Sequence, residues 1–315
     1  MDKKFKKVVG LKKTEFDQLV CSGEIKLRKA RLIPLQKPGD EMVLTSVLLS
    51  SLRLVKEFRK MIFSSAKIPA GGQIFVFTEV IFSLYPDSRI DGLLLVVSGG
   101  IIKDAAIFEM KNGRDELNKE QMEKYSRLAK DCSIPKVITI SNQFVSEPTQ
   151  CPINVRCPKG VSLYHFSWSY LLTIAHILLF DNETNIADKD QVEMMKEVVL
   201  YLENKKSGVC GFNQMKEGWK EVIEGINTGK QLKLADLNVN DTVLSWQQEE
   251  KDMALILSRK LGVFVNSGDF KYKNNLMLRL EDDKKKLIND KVLTSVLRVR
   301  RAISDISVIA LLENV

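Results

Sequence analysis

The sequence has few of the side chains that build nitrogen- and sulfur-based sites. It contains only two histidines, His165 and His176, in 315 residues. We therefore expect no histidine-based acid–base pair, and we interpret each histidine as structural. The five cysteines are odd in number, and their spacing fits neither a short zinc knuckle nor the four-cysteine pattern of an iron–sulfur cluster. We expect them to be thiols in a reducing, cytoplasmic compartment.

The sequence also lacks the patterns of membrane and nucleotide-binding proteins. Its longest apolar run, Leu171 to Phe180, is too short to span a bilayer. The first residues are charged, without the apolar core of a secretory signal, so we expect neither export nor a membrane partner. A Walker phosphate loop and a Gly-x-Gly-x-x-Gly turn are both missing. These absences disfavour membrane proteins, phosphate-loop nucleotidases and dinucleotide-dependent oxidoreductases.

Positive charge is present in excess. The formal net charge is +8 and the pI is near 9.1. Such a balance favours a polyanionic partner, with nucleic acid ahead of an anionic membrane. Basic residues cluster early in the chain, at Lys3-Lys4, Lys6-Lys7 and Lys12-Lys13 and from Lys26 to Arg31. We interpret the clusters either as a segment that binds the phosphates of nucleic acid or as ordinary solvated surface.

Breaks in composition predict three regions: a basic N-terminal segment (1–37), a core domain (38–180) and a C-terminal domain (181–315). In the core, periodicity predicts a helix over 41–63, a strand over 74–84, two more strands ending near 97 and 110, a second helix and a strand at 136–140. In the C-terminal region it predicts helices and then strands at 261–265, 276–280 and 292–299. The charged stretch 281–286 is predicted to be a turn.

Acidic and basic residues interrupt two of the apolar strands of the core. Asp91 opens the run Gly92 to Val97, and Glu109 and Lys111 close the next strand. Residues two apart on a strand point to the same face, so Glu109 and Lys111 project together. Two carboxylates and an ammonium group are what a divalent-metal phosphodiesterase site requires. The alternative interpretation is an edge strand with a solvated glutamate and lysine.

The pattern Asp91…Glu109-Met110-Lys111…Gln121-x-x-x-Tyr125 resembles the PD-(D/E)XK, or restriction-endonuclease-like, nuclease superfamily, and its final element is similar to the RecB-type branch. The resemblance covers roughly residues 40 to 170. It implies an α/β core with the order αβββαβ, a mixed central sheet flanked by helices, and here a C-terminal α+β domain. It further implies that Asp91 and Glu109 bind Mg²⁺ or Mn²⁺, that Lys111 assists the attacking water, and that Gln121 and Tyr125 border the site.

Two features of the resemblance stay open at this point. The family's Pro-Asp element could instead be matched by Pro86-Asp87, but Asp91 is preferred because Asp87 lies in a turn signal. In many members the first helix contributes an acidic residue near the metal, and Glu41 resembles it. Glu41 is equally well interpreted as an acid placed favourably at a positive helix N-terminus.

The resulting hypothesis is a Mg²⁺- or Mn²⁺-dependent nuclease with DNA favoured over RNA as substrate. The alternative is a catalytically inactive nuclease-fold protein that binds nucleic acid or a protein partner in a defence or repair complex. An unrelated interaction protein is a third possibility, and a homodimer is compatible with each of the three.

Overall fold

The computed structural model describes residues 7–30, 39–145, 147–180, 186, 188–212, 215–268, 272 and 275–312. These residues form two compact units, one extending to Cys210 and one beginning at Gly211. The elements of the first unit are, in chain order, α1 (Lys13–Cys21), β1 (Ile25–Lys29), α2 (Glu41–Leu54), α3 (Lys56–Ser65), β2 (Gln73–Phe82), β3 (Arg89–Ser98), β4 (Ile101–Met110), α4 (Lys119–Asp131), β5 (Lys136–Ser141), β6 (Ser162–Ser167), α5 (Trp168–Phe180) and α6 (Lys189–Glu203).

The first unit is built on a six-stranded mixed sheet with the order β1-β2-β3-β4-β5-β6. Strands β1 to β4 pair antiparallel, and β4, β5 and β6 pair parallel. Helices pack on the sheet, with α2 against β2, β3 and β4, and α4 against β5. The predicted α/β class, with a mixed central sheet flanked by helices, is therefore confirmed. The order helix, strand, strand, strand, helix, strand runs from the α2–α3 pair to β5.

The N-terminal segment differs from the prediction of a separate basic region. Residues 7–30 belong to the first unit, because Phe16 and Leu19 of α1 and Ile25 of β1 are buried in its core. The same core takes Met122 and Leu128 from α4. Lys26 and Arg28 are exposed on β1, at the edge of the sheet. The basic residues Lys3, Lys4, Lys6 and Arg31 lie outside the described residues.

The long helix predicted over 41–63 is two helices. Val55 leaves helical geometry, with φ −101° and ψ 104°, so that α2 ends at Leu54 and α3 begins at Lys56. A helix end leaves carbonyl groups without partners. Here the guanidinium of Arg59 donates to the carbonyls of Leu52 (3.0 Å) and Arg53 (2.8 Å). An arginine in the following helix therefore satisfies the end of the preceding one.

Helix α2 approaches the sheet closely at Gly92. A Cβ added there would lie 2.6 Å from Leu49 Cδ1 and 3.1 Å from Phe108 Cβ. We expect Gly92→Ala to destabilise the protein by about 1–3 kcal/mol, because overpacking forces neighbouring atoms to move. Urea unfolding measures the change. Gly71→Ala is the matched control, since no atom lies within 4 Å of its added Cβ. Equal stability of the two variants would contradict this close packing.

The second unit contains α7 (Gly218–Asn227), α8 (Leu237–Leu261), β7 (Val265–Ser267), α9 (Leu276–Asp290), β8 (Val292–Val299) and β9 (Ile306–Leu311). Its three strands form an antiparallel sheet with the order β7-β8-β9. The strand predicted at 292–299 is confirmed. The predictions of a strand at 276–280 and a turn at 281–286 are wrong, because both stretches lie in α9.

Local contacts explain why α9 forms. Asn275 caps its N-terminus by accepting from the backbone N–H of Leu278 at 3.0 Å. Arg279 pairs with Asp283 one turn later (3.4 Å) and with the buried Glu250 of α8. Pairs spaced by four residues support a helix. The acidic and basic run that looks like a turn is therefore the charged side of a helix.

The units divide after Cys210, later in the chain than the boundary predicted at 181. Helix α6 packs on α2 and α5 and so belongs to the first unit. The polar break that suggested the earlier boundary, residues 181–185, lies outside the described residues. No helix among the described residues is long and apolar enough to cross a membrane.

Candidate active site

The two strands that carry the predicted acids meet at one end of the sheet. Because β3 and β4 are antiparallel, with Gly92 opposite Phe108, Asp91 near the start of β3 lies beside the end of β4. Asp91 Oδ2 accepts a hydrogen bond from the backbone N–H of Met110 at 2.7 Å. Beyond the effect of burial, Glu109 lies close enough to Asp91 for its negative charge to raise the pKa of the aspartate. The two predicted metal ligands on the sheet are thus neighbours.

Lys111 joins this pair to the start of α2. Its Nζ lies 2.8 Å from Glu109 Oε1 and donates to Glu41 Oε1 at 3.1 Å. The structure therefore brings Glu41, Asp91, Glu109 and Lys111 together, and we call this group the carboxylate–lysine cluster. The interpretation of Glu109 and Lys111 as a solvated pair is wrong, since Glu109 is only 1% exposed.

Burial and charge repulsion raise the pKa values of the two carboxylates that lie on the sheet. Burial raises the pKa of Asp91 well above its usual value, and the negative charge of Glu109 raises it further. Burial also raises the pKa of Glu109, against the lowering effect of Lys111. Both acids are therefore held in a site that disfavours two negative charges without additional positive charge nearby.

The surroundings of Lys111 favour its charged form, whereas those of the two acids disfavour theirs. Burial alone would lower the pKa of Lys111, but the three carboxylates around it outweigh that effect and raise it. Lys111 is therefore a proton-bearing cation at neutral pH. It is suited to donating hydrogen bonds rather than to accepting a proton.

Glu41 occupies the first turn of α2. The side chain of Asp40 caps that helix by accepting from the N–H of Met42 at 2.8 Å, which leaves Glu41 available to reach Lys111. Burial raises the pKa of Glu41, and the charge of Asp91 adds to the effect. Of the two interpretations of Glu41, its contact with Lys111 favours membership of the cluster.

The two predicted residues on α4 form a hydrogen-bonded pair. Gln121 Nε2 donates to the Tyr125 hydroxyl at 3.2 Å, and that hydroxyl donates to the carbonyl of Arg89 at 2.7 Å. Burial, followed by the charge of Glu109, raises the pKa of Tyr125 to about 12. Tyr125 thus borders the cluster and fixes the start of β3, while Gln121 holds Tyr125. The rival Asp87 is exposed in a turn.

Sequence reasoning missed the residues that hold Lys111 in place. The backbone N–H of Lys111 donates to the carbonyl of Ile140 on β5 at 2.8 Å. The indole N–H of Trp168, a fully buried residue, donates to the carbonyl of Lys111 at 2.8 Å. The main chain of the lysine is thereby fixed on both sides. A tryptophan at the start of an apolar helix gives no sequence signal for this role.

Two asparagines fix the loop that follows Lys111. Asn112 Nδ2 donates to the carbonyl of Gly39 (2.8 Å), just before α2. Asn142 Nδ2 donates to the carbonyls of Gly113 (2.9 Å) and Gly208 (2.8 Å). The loop is therefore tied to the start of α2 and to the segment after α6. Asn-Gly and Ser-Asn pairs read as turns in the sequence, so these long-range bonds were not predictable from it.

The two histidines and the five cysteines have surroundings typical of structural rather than catalytic residues. His165 is buried between Thr139 Oγ1 and the carbonyl of Gln143, each 2.9 Å from a ring nitrogen, and burial lowers its pKa to about 4. His176 lies 2.7 Å from Glu203. The five cysteines form no disulfide.

The carboxylates of the cluster are candidate ligands of a divalent metal. With both acids ionised, neither oxygen of the buried Glu109 receives a hydrogen bond of good geometry from a described residue, although Lys111 Nζ is close. Among the described residues no group of three or more His, Cys, Asp or Glu side chains has the spacing of a complete metal site. Mg²⁺ typically needs only one or two carboxylates, with water and substrate phosphate as its other ligands. Asp91 and Glu109 therefore fit that requirement.

No protein-family model, curated protein or solved structure matches this chain.

Proposed function

We propose that this protein is a metal-dependent nuclease that hydrolyses phosphodiester bonds of nucleic acid, with DNA as the favoured substrate. The observation that carries the proposal is the carboxylate–lysine cluster. At one end of a mixed sheet, Lys111 Nζ lies 3.1 Å from Glu41 and 2.8 Å from Glu109, and Asp91 accepts from the backbone N–H of Met110 at 2.7 Å. The resemblance to PD-(D/E)XK nucleases and the positive net charge support the same assignment.

Asp91 and Glu109 would hold Mg²⁺ or Mn²⁺, with Glu41 beside them. A bound divalent cation polarises a phosphoryl oxygen and lowers the pKa of a coordinated water. Both acids are oxygen donors of the kind that these hard cations prefer. Glu109 is buried, neither of its oxygens accepts a hydrogen bond of good geometry from a described residue, and Lys111 Nζ lies beside Oε1 alone, which leaves room for a cation at this carboxylate.

The role of Lys111 is that of a protonated hydrogen-bond donor. Because its pKa is raised, the ammonium donates hydrogen bonds throughout the reaction. It orients the attacking water and offsets the negative charge that develops on the phosphoryl group. Its fixed main chain keeps this donor in one place, which limits the reorganisation that the reaction would otherwise require.

Tyr125 and Gln121 are positioning residues. The Tyr125 hydroxyl is engaged by the carbonyl of Arg89, and its raised pKa keeps it neutral. Its contact with the start of β3 holds the strand that carries Asp91. An inactive nuclease-fold binding protein is the rival assignment, and the complete carboxylate–carboxylate–lysine set favours the active enzyme over it.

The direct test is cleavage of supercoiled plasmid, linear duplex and single-stranded DNA by the purified full chain, with an RNA of matching length alongside. We expect cleavage with Mg²⁺ or Mn²⁺, its loss on chelation with EDTA, and its return when metal is added back. Cleavage that continues in EDTA would contradict the proposal. So would the absence of cleavage of every substrate when salt-sensitive binding is present, which is the result expected of the inactive protein.

A further inference from the structure

Glu41 is the only member of the carboxylate–lysine cluster that comes from a helix. Asp91 and Glu109 lie on the paired strands β3 and β4, and Lys111 follows β4 directly. The backbone N–H of Lys111 donates to the carbonyl of Ile140 on β5, so the sheet itself holds this side of the cluster. Glu41 begins α2, and its contact with Lys111 Nζ therefore depends on where the start of that helix lies.

Asn112 connects the two sides of this contact. It is the next residue after Lys111, and its Nδ2 donates to the carbonyl of Gly39, two residues before Glu41, at 2.8 Å. The backbone carbonyl of Asn112 accepts from the N–H of Asp115 at 3.0 Å, which closes the turn that carries the amide. A single side chain thus fastens the residue beside the lysine to the start of the helix that carries the glutamate.

Two glycines leave space for the Asn112 side chain and the segment behind it. A Cβ added to Gly208 would lie 3.0 Å from Asn112 Nδ2, and one added to Gly39 would collide with the carbonyl oxygen of Lys206. Both glycines have positive φ, 78° and 91°, where other residues would be strained. The carbonyl of Gly208 also accepts from the N–H of Gly113 at 2.9 Å. Asn112 is therefore enclosed by fixed main chain, which limits its freedom to turn away from Gly39.

We propose that Asn112 is a positioning residue that sets the distance between Glu41 and Lys111. If the start of α2 moved, the contact of 3.1 Å would lengthen and the ammonium would keep Glu109 alone. Misplacement of a reacting group by about 1 Å can lower a rate about a hundredfold. The inference rests on the proposed function, since Asn112 affects turnover only if the cluster is the reaction centre. Asn112 acts through Glu41 and Lys111 rather than on the substrate.

The test is a double-mutant cycle of Asn112→Ala and Glu41→Ala, measured as plasmid cleavage at saturating Mg²⁺. We expect Asn112→Ala to lower kcat about tenfold and to change KM less than about twofold, as for an interaction used in the transition state. In the Glu41→Ala background the same substitution should change kcat less than about threefold, because residues that act through one contact are not additive.

Calorimetry with Mn²⁺ on the same four proteins gives a second cycle that does not depend on cleavage. Asn112→Ala should weaken Mn²⁺ binding about tenfold, the usual effect of losing a residue that orients a ligand. It should have almost no further effect once Glu41 is alanine. If Asn112→Ala does not fold, Asn112→Asp replaces it in both cycles, because aspartate has the same shape and cannot donate to Gly39.

Asn275→Ala is the matched control. It removes an asparagine hydrogen bond of similar length, 3.0 Å, from the second unit. We expect it to lower the melting temperature and to leave kcat and Mn²⁺ affinity unchanged, with or without Glu41. A loss of kcat that follows reduced stability in this variant as well would assign the effect of Asn112 to general destabilisation.

Four further results would overturn the inference. Equal losses with and without Glu41 would indicate a purely structural asparagine, and a raised KM at unchanged kcat would place Asn112 among the substrate-binding residues. Full activity of the Asn112 variant would remove any role. If the wild type cleaves nothing, the nuclease proposal fails and the Mn²⁺ cycle alone decides on Asn112. A wild type that neither cleaves nucleic acid nor binds Mn²⁺ would overturn both proposals.

Discussion

Lys111→Ala should lower metal-dependent cleavage at least about a hundredfold, because positioned donors and proton-transfer groups usually contribute 10²–10⁴-fold. The ammonium lies 2.8 Å from Glu109 and 3.1 Å from Glu41, so its removal takes away the donor that contacts both carboxylates. Turnover should fall far more than substrate affinity. Initial rates of plasmid nicking at saturating Mg²⁺ measure the effect.

A measurement of metal binding distinguishes a specific loss of cleavage activity from misfolding of the Lys111→Ala variant. Removing one positive charge beside two carboxylates should leave Mn²⁺ binding intact or make it tighter, as calorimetry can measure. Lys103→Ala is the control, since Lys103 is an exposed lysine on the same strand β4. A Lys111→Ala variant with full metal-dependent activity would remove Lys111 from the chemistry, and the cleavage would then have to take place at a different site.

Asp91→Asn should abolish cleavage and at the same time stabilise the metal-free protein at pH 8. Asp91 and Glu109 are neighbouring carboxylates, and burial followed by the negative charge of Glu109 raises the pKa of Asp91. Asparagine keeps an oxygen to accept from the N–H of Met110, and it gains an amide that can donate to Glu109. We expect a gain of about 0.5–2 kcal/mol, the usual size of a stabilising substitution at such a site.

In the presence of Mg²⁺, the wild type should become more stable than Asp91→Asn. A ligand that binds only the folded state stabilises it by mass action, by about 2.7 kcal/mol at a hundredfold excess over Kd. Mg²⁺ should therefore raise the melting temperature of the wild type and leave that of Asp91→Asn unchanged. Differential scanning fluorimetry with and without Mg²⁺ is sufficient to measure both.

Asp104→Asn is an informative contrast to Asp91→Asn. Asp104 is also buried near β3, but it pairs with Lys136 at 2.6 Å. Its replacement leaves a buried ammonium group without its partner and should destabilise the protein. If both asparagine variants shifted stability in the same direction, the account of Asp91 as an electrostatically strained carboxylate would be wrong.

The strands that carry the cluster were predictable because their sequence signals are local. Apolar runs and turn residues define β2, β3 and β4, and alternation places Glu109 and Lys111 on one face. The four-residue spacing of Gln121 and Tyr125 predicts their contact on α4. These features depend on neighbours in sequence, which is where periodicity is informative.

The features that the sequence did not predict correctly have a different physical origin. Nothing local distinguishes Val55 from the apolar residues around it, and the break there is stabilised by Arg59 of the next helix. In α9, the acidic and basic run follows a helical spacing that becomes evident only when Arg279 meets the buried Glu250. The contribution of Asn142 rests on bonds to residues far away in the chain. A contact with residues outside the element itself contributes to each of these outcomes, and no single-sequence pattern encodes such contacts.

The contact between Trp168 and Lys111 has a practical consequence. Three tryptophans occur in the chain, and Trp219 and Trp246 both belong to the second unit. The indole bonded to the lysine carbonyl is therefore the only one of its kind in the first unit. With those other two replaced by phenylalanine, tryptophan emission would arise from this ring alone. The protein would then carry an intrinsic optical reporter, one hydrogen bond away from the main chain of Lys111.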